Sequence, residues 1–267
     1  MMKFKNLLCL SFFAFVFASC QKNEAMEISE NYVSESVLAQ IKNLGFNAEG
    51  VQKIDEGYLV EGDIVLSSEF LKSRNDEQVL RIAEFEQYHT SNLVKNLPRT
   101  ITISVDKKLG SKYATLARQM TGRYNALNLS ISMQVVSGRG NIHFSAAPLN
   151  AQYLASAGFP NSKGDPYSSV KINNAYLDRN NWNDASIVSI MAHEAGHCIG
   201  FRHTDYMSRQ YSCNGSPYNE GAGSVGAIHI PGTPTGPDNN SWMLACIGTN
   251  EDRPFNNNDK VALNYLY

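Results

Sequence analysis

The chain has 267 residues, of which 43% are hydrophobic and 18% charged, and this is the composition of an ordinary globular protein. Its formal net charge of −2 gives no electrostatic reason to expect binding to nucleic acid or to an anionic membrane surface. The sequence contains no internal repeat and no low-complexity segment, which argues against a repeat protein and against a disordered chain.

The first residues predict export. Lysines precede an apolar run at residues 7–17, which has the length of a signal peptide and is too short to span a bilayer. The segment "FASC" resembles a bacterial lipobox, which implies that residues 1–19 are removed and that Cys20 is lipidated. Gln21 stands where an aspartate would indicate inner-membrane retention, so the resemblance implies anchoring in the outer membrane. Plain secretion without a lipid is the alternative.

Residues 20–98 are charged and helix-prone, and we expect them to form a small α/β, pro-like segment. The pattern of "SESVLAQIKNLGF" predicts an amphipathic helix that ends at Gly45, and "GYLVEGDIVLS" predicts a strand kinked at Gly62. A second helix is predicted for "NDEQVLRIAEFEQYH", capped by Asn75. Glu and Lys give way to Asn, Ser, Gly and Tyr at "NLPRT", so we place a domain boundary after residue 98.

Residues 99–267 are predicted to form one α+β domain. In chain order the patterns indicate the strand "TITISVD", the helix "GSKYATLARQMTGRYNAL", the strands "SISMQVV", "GNIHFSA" and "SSVKINN", and the long helix "DASIVSIMAHEAGHCI". The strand "SSVKINN" is a candidate for pairing with an extended peptide, or an ordinary edge strand. Regular patterning is lost after Asp205 and returns in a final helix, "NNDKVALNYLY".

The long helix carries the pattern His-Glu-x-x-His, and the chain continues with x-x-Gly-x-x-His. Residues i and i+4 share one helix face, so His193 and His197 can direct their imidazoles at one ion. Gly200 suits the left-handed conformation that ends a helix, which lets the chain return His203 as a third ligand. Three protein ligands with one open position are typical of a catalytic zinc, and Glu194 is placed to reach its bound water. The alternative is a helix end with incidental histidines.

These residues resemble the extended zinc motif of the metzincin metallopeptidases. That clan has a methionine turn beneath the zinc, for which Met243 in "SWMLAC" is the match, and Ala245 stands where some members have a tyrosine ligand. With "HEAGHCIGFRHTDY", "HIPGTPTG" and "FNNNDKVALNYLY", the chain is similar to the bacterial dual-action HEIGH metallopeptidases, although Ala195 replaces the isoleucine of that name. The resemblance implies a twisted mixed sheet, an active-site helix, an irregular C-terminal subdomain, one catalytic Zn²⁺, and Glu194 as general base.

Several further residues are candidates for supporting roles. Asp205 either orients the site or caps the loop that follows it. In an oxidising compartment, a disulfide between Cys213 and Cys246 would join the irregular region across the methionine turn, and Cys198 would be a buried free thiol. Pairing of Cys198 with either of the other two remains open. Calcium could bind in "PNSKGDP" and "GPDNNS", although loops of this composition are usually turns.

The segment "VEGDI" resembles the pro-segment motif of astacin-type metzincins, in which an aspartate after a glycine occupies the zinc and keeps the enzyme latent. On this interpretation Asp63 is an inhibitory ligand, since a carboxylate binds zinc well. Cleavage near "LPRT" would then activate the enzyme and release it from the membrane. The alternative is an ordinary β-turn, for which Glu-Gly-Asp is well suited.

Together these patterns predict a secreted, lipid-anchored zinc endopeptidase, made as a latent zymogen, that acts as a monomer on a protein or peptide substrate. One alternative is a zinc hydrolase of non-peptide amides, because zinc and Glu194 would serve equally well there. Another is a surface lipoprotein that binds peptides or glycans and keeps a relic metal site. Glu194 argues against the relic, because binding alone needs no general base.

Overall fold

The structure, a computed structural model, describes residues 32–44, 46–72, 87–215, 219, 227–234 and 238–267. The predicted signal peptide, Cys20, Gly45 and most of the helix predicted for "NDEQVLRIAEFEQYH" lie outside the described residues. Among the described residues, no helix has both the length and the apolar character needed to cross a membrane. Residues Val33–Tyr267 form one compact unit.

The N-terminal segment contains a helix and a small antiparallel sheet. Its elements are α1 (Glu35–Asn43), β1 (Gln52–Ile54), β2 (Gly57–Val60), β3 (Ile64–Leu66) and α2 (Ser68–Lys72). The Ser34 side chain caps α1 by accepting from the backbone N–H of Val37. The single kinked strand predicted for "GYLVEGDIVLS" is instead a β2–β3 hairpin, because Glu61 and Gly62 adopt positive φ angles of 54° and 91° and reverse the chain.

This segment has a hydrophobic core of its own. Six of its buried residues pack together: Ile41, Leu44, Phe46, Val60, Ile64 and Leu66. Phe159 is the buried member of this cluster that comes from the larger part of the chain. A core of this size stabilises a short segment weakly, so we expect its fold to depend on docking against the rest of the molecule.

The larger part of the chain contains a five-stranded mixed sheet. Its elements are β4 (Tyr88–His89), β5 (Arg99–Val105), a 3-10 turn (Lys107–Leu109), α3 (Gly110–Asn125), β6 (Ile131–Val135), β7 (Ile142–Ala146), β8 (Ala155–Ser156), β9 (Ser169–Ile172), α4 (Asn174–Arg179), α5 (Asp184–Ile199), α6 (Gln210–Cys213), β10 (Ile228–His229) and α7 (Asn257–Leu266). The strand order is β6-β5-β7-β9-β8, and only β8 runs antiparallel to its neighbour. The predicted α+β class with a mixed sheet is confirmed.

Two helices form the main core with this sheet. α3 packs against β5, β6 and α5, and the core includes Ile101 and Ile103 of β5 with Leu116 and Met120 of α3. Every residue of α5 from Ser186 onward is buried, which is unusual for a helix and explains why its apolar residues show no single face.

The strand predicted from "SSVKINN" is not an edge strand. β9 pairs with β7 along Ser169–Ile172 on one side, and with β8 at Lys171 and Ile172 on the other. The edge of the sheet is β8, and the chain next to it is already paired: Ala157 N donates to Asp63 O over 2.9 Å, and Val65 N donates to Ala157 O over 2.6 Å.

Residues 87–98 contact the larger body. β4 pairs with β10, and the buried Gln87 side chain donates to Ser241 Oγ over 3.2 Å and to Asp259 Oδ1 over 2.7 Å. Thr90 N donates to Gly200 O over 2.8 Å, and Val94 belongs to the main core. The larger body therefore includes residues upstream of the predicted boundary at residue 98.

Candidate metal centre

The three histidines converge because of how α5 begins and ends. Asn183 caps the helix by accepting from Ser186 N over 2.7 Å, and Gly200 ends it with a φ of 111°. A Cβ at Gly200 would lie 2.8 Å from the Asn92 carbonyl oxygen, so the close approach of residues 90–93 also requires glycine. The ring centroids of His193, His197 and His203 lie 4.6, 4.9 and 5.3 Å apart pairwise.

A carboxylate from the N-terminal segment joins the histidines. The candidate ligand atoms of Asp63, His193, His197 and His203 all lie within 4.8 Å of one another. Asp63 Oδ2 is 3.2 Å from His203 Nε2 and 3.6 Å from His193 Nε2. Burial alone would raise the pKa of Asp63, but the three histidines outweigh it and hold that pKa well below its usual range.

Contacts outside the cluster set the tautomers of two rings. The Nδ1–H of His193 donates to the Trp242 carbonyl over 2.9 Å, and that of His197 donates to the Phe201 carbonyl over 2.8 Å. Because a carbonyl can only accept, the hydrogen lies on Nδ1 and each Nε2 presents a lone pair to the cluster. Burial, reinforced by the neighbouring histidines, also lowers the pKa of His197 well below its usual value and favours the neutral ring that binds metal.

The donor atoms fit a zinc ion. Among the described residues, His193 Nε2 and Asp63 Oδ1 are buried without a hydrogen-bond partner. Unsatisfied buried polar atoms are rare in folded proteins, and a cation surrounded by imidazole nitrogens and a carboxylate would satisfy them. This is also the one group in the described parts of the chain with three or more candidate ligands for a metal ion.

Glu194 lies beside the histidines without belonging to the cluster. Its side chain is buried, and within the described structure its Oε2 has no hydrogen-bond partner. Burial raises the pKa of Glu194 well above its usual value, and the charge of Asp63 raises it further. A cavity of about 240 Å³ is lined by Glu194, His193 and Asp63, and by apolar residues that include Leu244 and Ile247. A carboxyl group that lines such a cavity beside candidate metal ligands is placed for general-base chemistry.

The family described as dual-action HEIGH metallo-peptidase matches residues 58–267. The chain belongs to this family. It is therefore a zinc metallopeptidase, a hydrolase whose cofactor is one zinc ion at the histidine cluster. No curated protein sequence matches the chain.

Two solved structures of myroilysin are similar to this HEIGH metallopeptidase. One has 12% sequence identity and a TM-score of 0.33, and the match covers 45% of this chain and 56% of the myroilysin chain. The other has 12% identity and a TM-score of 0.37, and the match covers 64% of this chain and 83% of the myroilysin chain.

The predicted methionine turn of the HEIGH metallopeptidase packs directly beneath α5. Met243 is fully buried, and a Cβ added to Gly196 would lie 2.6 Å from its sulfur. Trp242 Nε1 donates to Ala192 O over 3.2 Å, and Thr204 N donates to Met243 O over 2.9 Å. The turn thus contacts the helix between the first two histidines and the chain just after the third.

Asp205 joins the chain after the third histidine to the chain after the methionine. Its Oδ1 accepts from Ala245 N over 2.9 Å, and its Oδ2 accepts from Ser212 Oγ over 2.5 Å. A disulfide between Cys213 and Cys246 closes the same region, with a sequence separation of 33 residues. Cys198 is a buried free thiol, so the alternative pairings are not formed.

The candidate calcium loops form turns in the described structure. In "PNSKGDP", Asn161 Oδ1 accepts from Asp165 N over 2.9 Å, and Asp165 Oδ1 accepts from Arg99 over 2.9 Å. These oxygens are therefore engaged within the protein. Part of "GPDNNS" lies outside the described residues.

One pair of charged residues near the site was missed by the sequence analysis. Arg202 Nη2 donates to Glu61 Oε2 over 3.0 Å, and both side chains are completely buried. Arg202 immediately precedes His203, and Glu61 lies two residues before Asp63. No local pattern links residues so distant in sequence, and the burial of Arg202 is not visible in "GFRH".

Proposed function

We propose that the chain is a zinc endopeptidase that cleaves a protein or peptide substrate as a monomer, with His193, His197 and His203 holding the ion. The observation that carries this proposal is the convergence of three buried imidazoles beside Glu194, which lines a cavity and whose Oε2 has no hydrogen-bond partner among the described residues. When bound there, zinc would acidify a water molecule and polarise the scissile carbonyl.

The chain's own residues supply the remaining steps of the proposed reaction. Glu194 takes the proton from the attacking water and passes it to the amine that leaves. The backbone carbonyls of Trp242 and Phe201 keep Nδ1 of His193 and His197 protonated, so the rings cannot rotate away from the ligand geometry. The neighbouring cavity is the space available for one side chain of the substrate.

We propose that the full-length chain is latent, with Asp63 at the metal position. Two contacts support this proposal. The Asp63 carboxylate occupies the fourth corner of the histidine cluster, and the backbone of residues 63–65 pairs with Ala157 at the edge of the sheet. Both the reacting centre and the strand edge are thus covered by the same short stretch of chain.

We also propose that the protein is exported, anchored to the outer membrane through Cys20, and released when the N-terminal segment is removed. The disulfide supports export, because such bonds persist in oxidising compartments. The contacts of residues 87–98 favour cleavage upstream of Gln87 over cleavage at "LPRT". Mass spectrometry of membrane and soluble fractions tests this: active soluble enzyme that still begins at Cys20 contradicts release.

Peptide cleavage by wild type and by Glu194→Gln, each with and without a chelator, tests the proposed reaction. We expect the substitution to reduce kcat by at least about 100-fold while the zinc content is kept, because the general base is lost and the ligands remain. The matched control is Asp184→Asn, which neutralises a carboxylate that is 63% exposed on the same helix. If wild type cleaves simple amides but no peptides, the alternative hydrolase is indicated. If it cleaves neither, the protein is a binding protein that keeps a relic metal site.

Asp63→Ala tests latency in the full-length chain. We expect peptide cleavage by the intact protein to rise, because the carboxylate no longer competes with water and substrate for the ion. The control is Asp55→Ala, which removes an exposed carboxylate from the same segment. If the two variants have equal activity, Asp63 is not an inhibitory ligand.

A further inference from the structure

We propose that Ser212 is a positioning residue that determines which side chain of the substrate the cavity beside the metal centre accepts. The inference rests on the proposed peptidase activity and on the cavity as the space for one substrate side chain. It assigns a role in selectivity to a residue that follows His203 by nine positions and belongs to no motif of the sequence.

Four consecutive residues that line the cavity lie in a stretch of chain without regular secondary structure. They are residues 244–247, here called the wall segment, and they line the cavity together with His193 and Glu194. None of the four belongs to a helix or a strand. Backbone groups that are not paired within a helix or a sheet need other partners. The position of the wall segment therefore depends on the side chains that bind its backbone.

Side chains from the region after the third histidine bind two consecutive amides of the wall segment. Ala245 N donates to Asp205 Oδ1 over 2.9 Å, and Cys246 N donates to Ser212 Oγ over 3.0 Å. The Ser212 hydroxyl in turn donates to Asp205 Oδ2 over 2.5 Å, a short distance that is typical of a hydroxyl bound to a carboxylate. The carboxylate, the hydroxyl and the two amides thus form one closed ring of contacts.

The same region of the chain is tied to the metal centre. Asp205 follows His203 by two residues and is buried. Between them, Thr204 N donates over 2.9 Å to the carbonyl of Met243, the residue before the wall segment. Contacts from Thr204, Asp205 and Ser212 therefore reach successive residues of one stretch of chain, and together they fix the distance of the wall segment from the histidines.

The neighbouring disulfide does not replace the contact of Ser212. It joins the side chains of Cys213 and Cys246, with 5.1 Å between their Cα atoms. This bridge limits how far the wall segment can move, whereas the direction of a peptide group is set by its hydrogen bonds. Loss of the Ser212 hydroxyl leaves the Cys246 amide without its acceptor. We therefore expect such a loss to change the shape of the cavity while the fold is kept.

A cavity discriminates among side chains only as far as its walls keep their place. The cavity is lined by Leu244 and Ile247 of the wall segment and by Leu154 and Ile190. In a fitted apolar pocket, one methylene group more or less changes kcat/KM by roughly 10–200-fold. A wall segment that Ser212 no longer holds fits a large apolar side chain less closely. An alanine side chain reaches few of these groups, so its cleavage depends less on the wall segment.

The test uses the enzyme in the form that cleaves peptides, with a series that carries Ala, Leu or Phe at each position next to the cleaved bond. At one position we expect wild-type kcat/KM for Leu or Phe to exceed that for Ala at least about tenfold. In Ser212→Ala we expect this ratio to fall at least about threefold, because a displaced wall segment fits the larger side chain less closely. Zinc affinity, measured by competition with a chelator, should stay within about twofold, because the contacts that orient His193 and His197 remain.

Two further variants serve as controls. Ser212→Thr retains the hydroxyl and should retain most of the wild-type ratio. Ser111→Ala removes a hydroxyl from an exposed position on α3 and should retain all of it.

Three results overturn the inference. The first is wild-type enzyme without an apolar preference at any position, and the second is an unchanged ratio in folded Ser212→Ala. The third is weaker zinc binding with an equal loss on every peptide, which would place the role of Ser212 at the metal. If wild type cleaves none of the peptides, the proposed function fails instead.

A second comparison covers the case in which Ser212→Ala does not fold. Ser212→Thr and Ser212→Val introduce side chains of the same shape that differ in one hydroxyl. We expect the lower ratio in the valine variant, and equal ratios in the two variants contradict the proposal.

Discussion

At the scale of single residues, backbone carbonyls outside the cluster fix the tautomers of His193 and His197. The carbonyl that fixes the tautomer of His193 belongs to Trp242, the residue before Met243. The methionine turn therefore orients a ligand as well as packing beneath it, and disturbing the turn is expected to weaken metal binding by about 10–100-fold. This contact explains in physical terms why a turn forty residues downstream belongs to the site.

Asp259 predicts a pH dependence of stability. It accepts from Gln87 Nε2, Trp242 N and Asn256 N over 2.7, 3.1 and 2.9 Å, yet burial outweighs these bonds and raises its pKa to about 6. A carboxyl with a raised pKa binds its proton more tightly in the folded state. Its contribution to stability is therefore fully present below the ordinary pKa of 3.8 and is lost as the pH rises through 6.

We expect the unfolding free energy of wild type, relative to Asp259→Asn, to increase by ~2 kcal/mol when the pH falls from 7 to 4. Urea unfolding of both proteins across this range measures the difference, and groups common to both cancel. Asp184→Asn, an exposed site, is the control and should show no such trend. A difference that stays constant with pH would mean that Asp259 keeps an ordinary pKa.

Residues were predictable from sequence where the spacing alone imposes the geometry. A helix places His193 and His197 on one face, and a left-handed glycine returns His203, so local rules were enough. The contacts of Glu61 with Arg202 and of Asp63 with His203 join parts of the chain about 140 residues apart, and no periodicity encodes such distances. The position of Asp63 followed from a resemblance, and the Glu61–Arg202 pair was not foreseen.

At the scale of elements, the sequence indicated the helices and strands but not the order of the strands. The pattern of "SSVKINN" is compatible with any position in the sheet, because the alternation of buried and partly exposed residues along β9 does not reveal which edges are paired. β8 is two residues long and too short to produce a pattern, yet it forms the edge. Similarly, the sequence pattern predicts one kinked strand in place of the β2–β3 hairpin, because a positive φ at a residue such as Glu61 is uncommon.

The irregular region after α5 depends on a covalent link for part of its stability. The disulfide between Cys213 and Cys246 closes a loop with a separation of 33 residues. The loop-entropy relation predicts that the Cys213→Ser, Cys246→Ser double variant loses about 3–4 kcal/mol of unfolding free energy. Urea unfolding measures this loss, with Cys198→Ala as the control for loss of a cysteine outside the bridge. Equal unfolding midpoints for the double variant and wild type would contradict the prediction.

At the scale of the whole molecule, the buried hydrophobic residues form a main cluster and a smaller cluster, and these do not follow the change in composition near residue 98. The small core uses residues 41–66 with Phe159, whereas Val94 lies in the main core. The boundary predicted after residue 98 followed a change in amino-acid usage, which reports on surface residues more than on packing. If the N-terminal segment is removed as we propose, we therefore expect it to end before Gln87.

Two shortened chains test this division, one that starts at Gln87 and one that starts at Arg99. We expect the shorter one to be less stable by at least about 3–5 kcal/mol, because it loses the buried Tyr88 and Val94 side chains. It also loses the bonds from Gln87 to Asp259 and Ser241. Thermal unfolding and peptide cleavage of the two proteins measure the difference. If both unfold at the same temperature with the same activity, residues 87–98 are dispensable and the original boundary stands.

The contact between Gly196 and Met243 has a consequence for evolution. With 2.6 Å between the sulfur and the place of a Cβ, and 3.1 Å from that place to Trp242 Nε1, a larger residue at position 196 requires the Met243 side chain to shift. In a relative with alanine or serine there, we expect a compensating change at the positions of Trp242 or Met243. Paired substitutions at these sites are the trace that this packing would leave among diverging sequences.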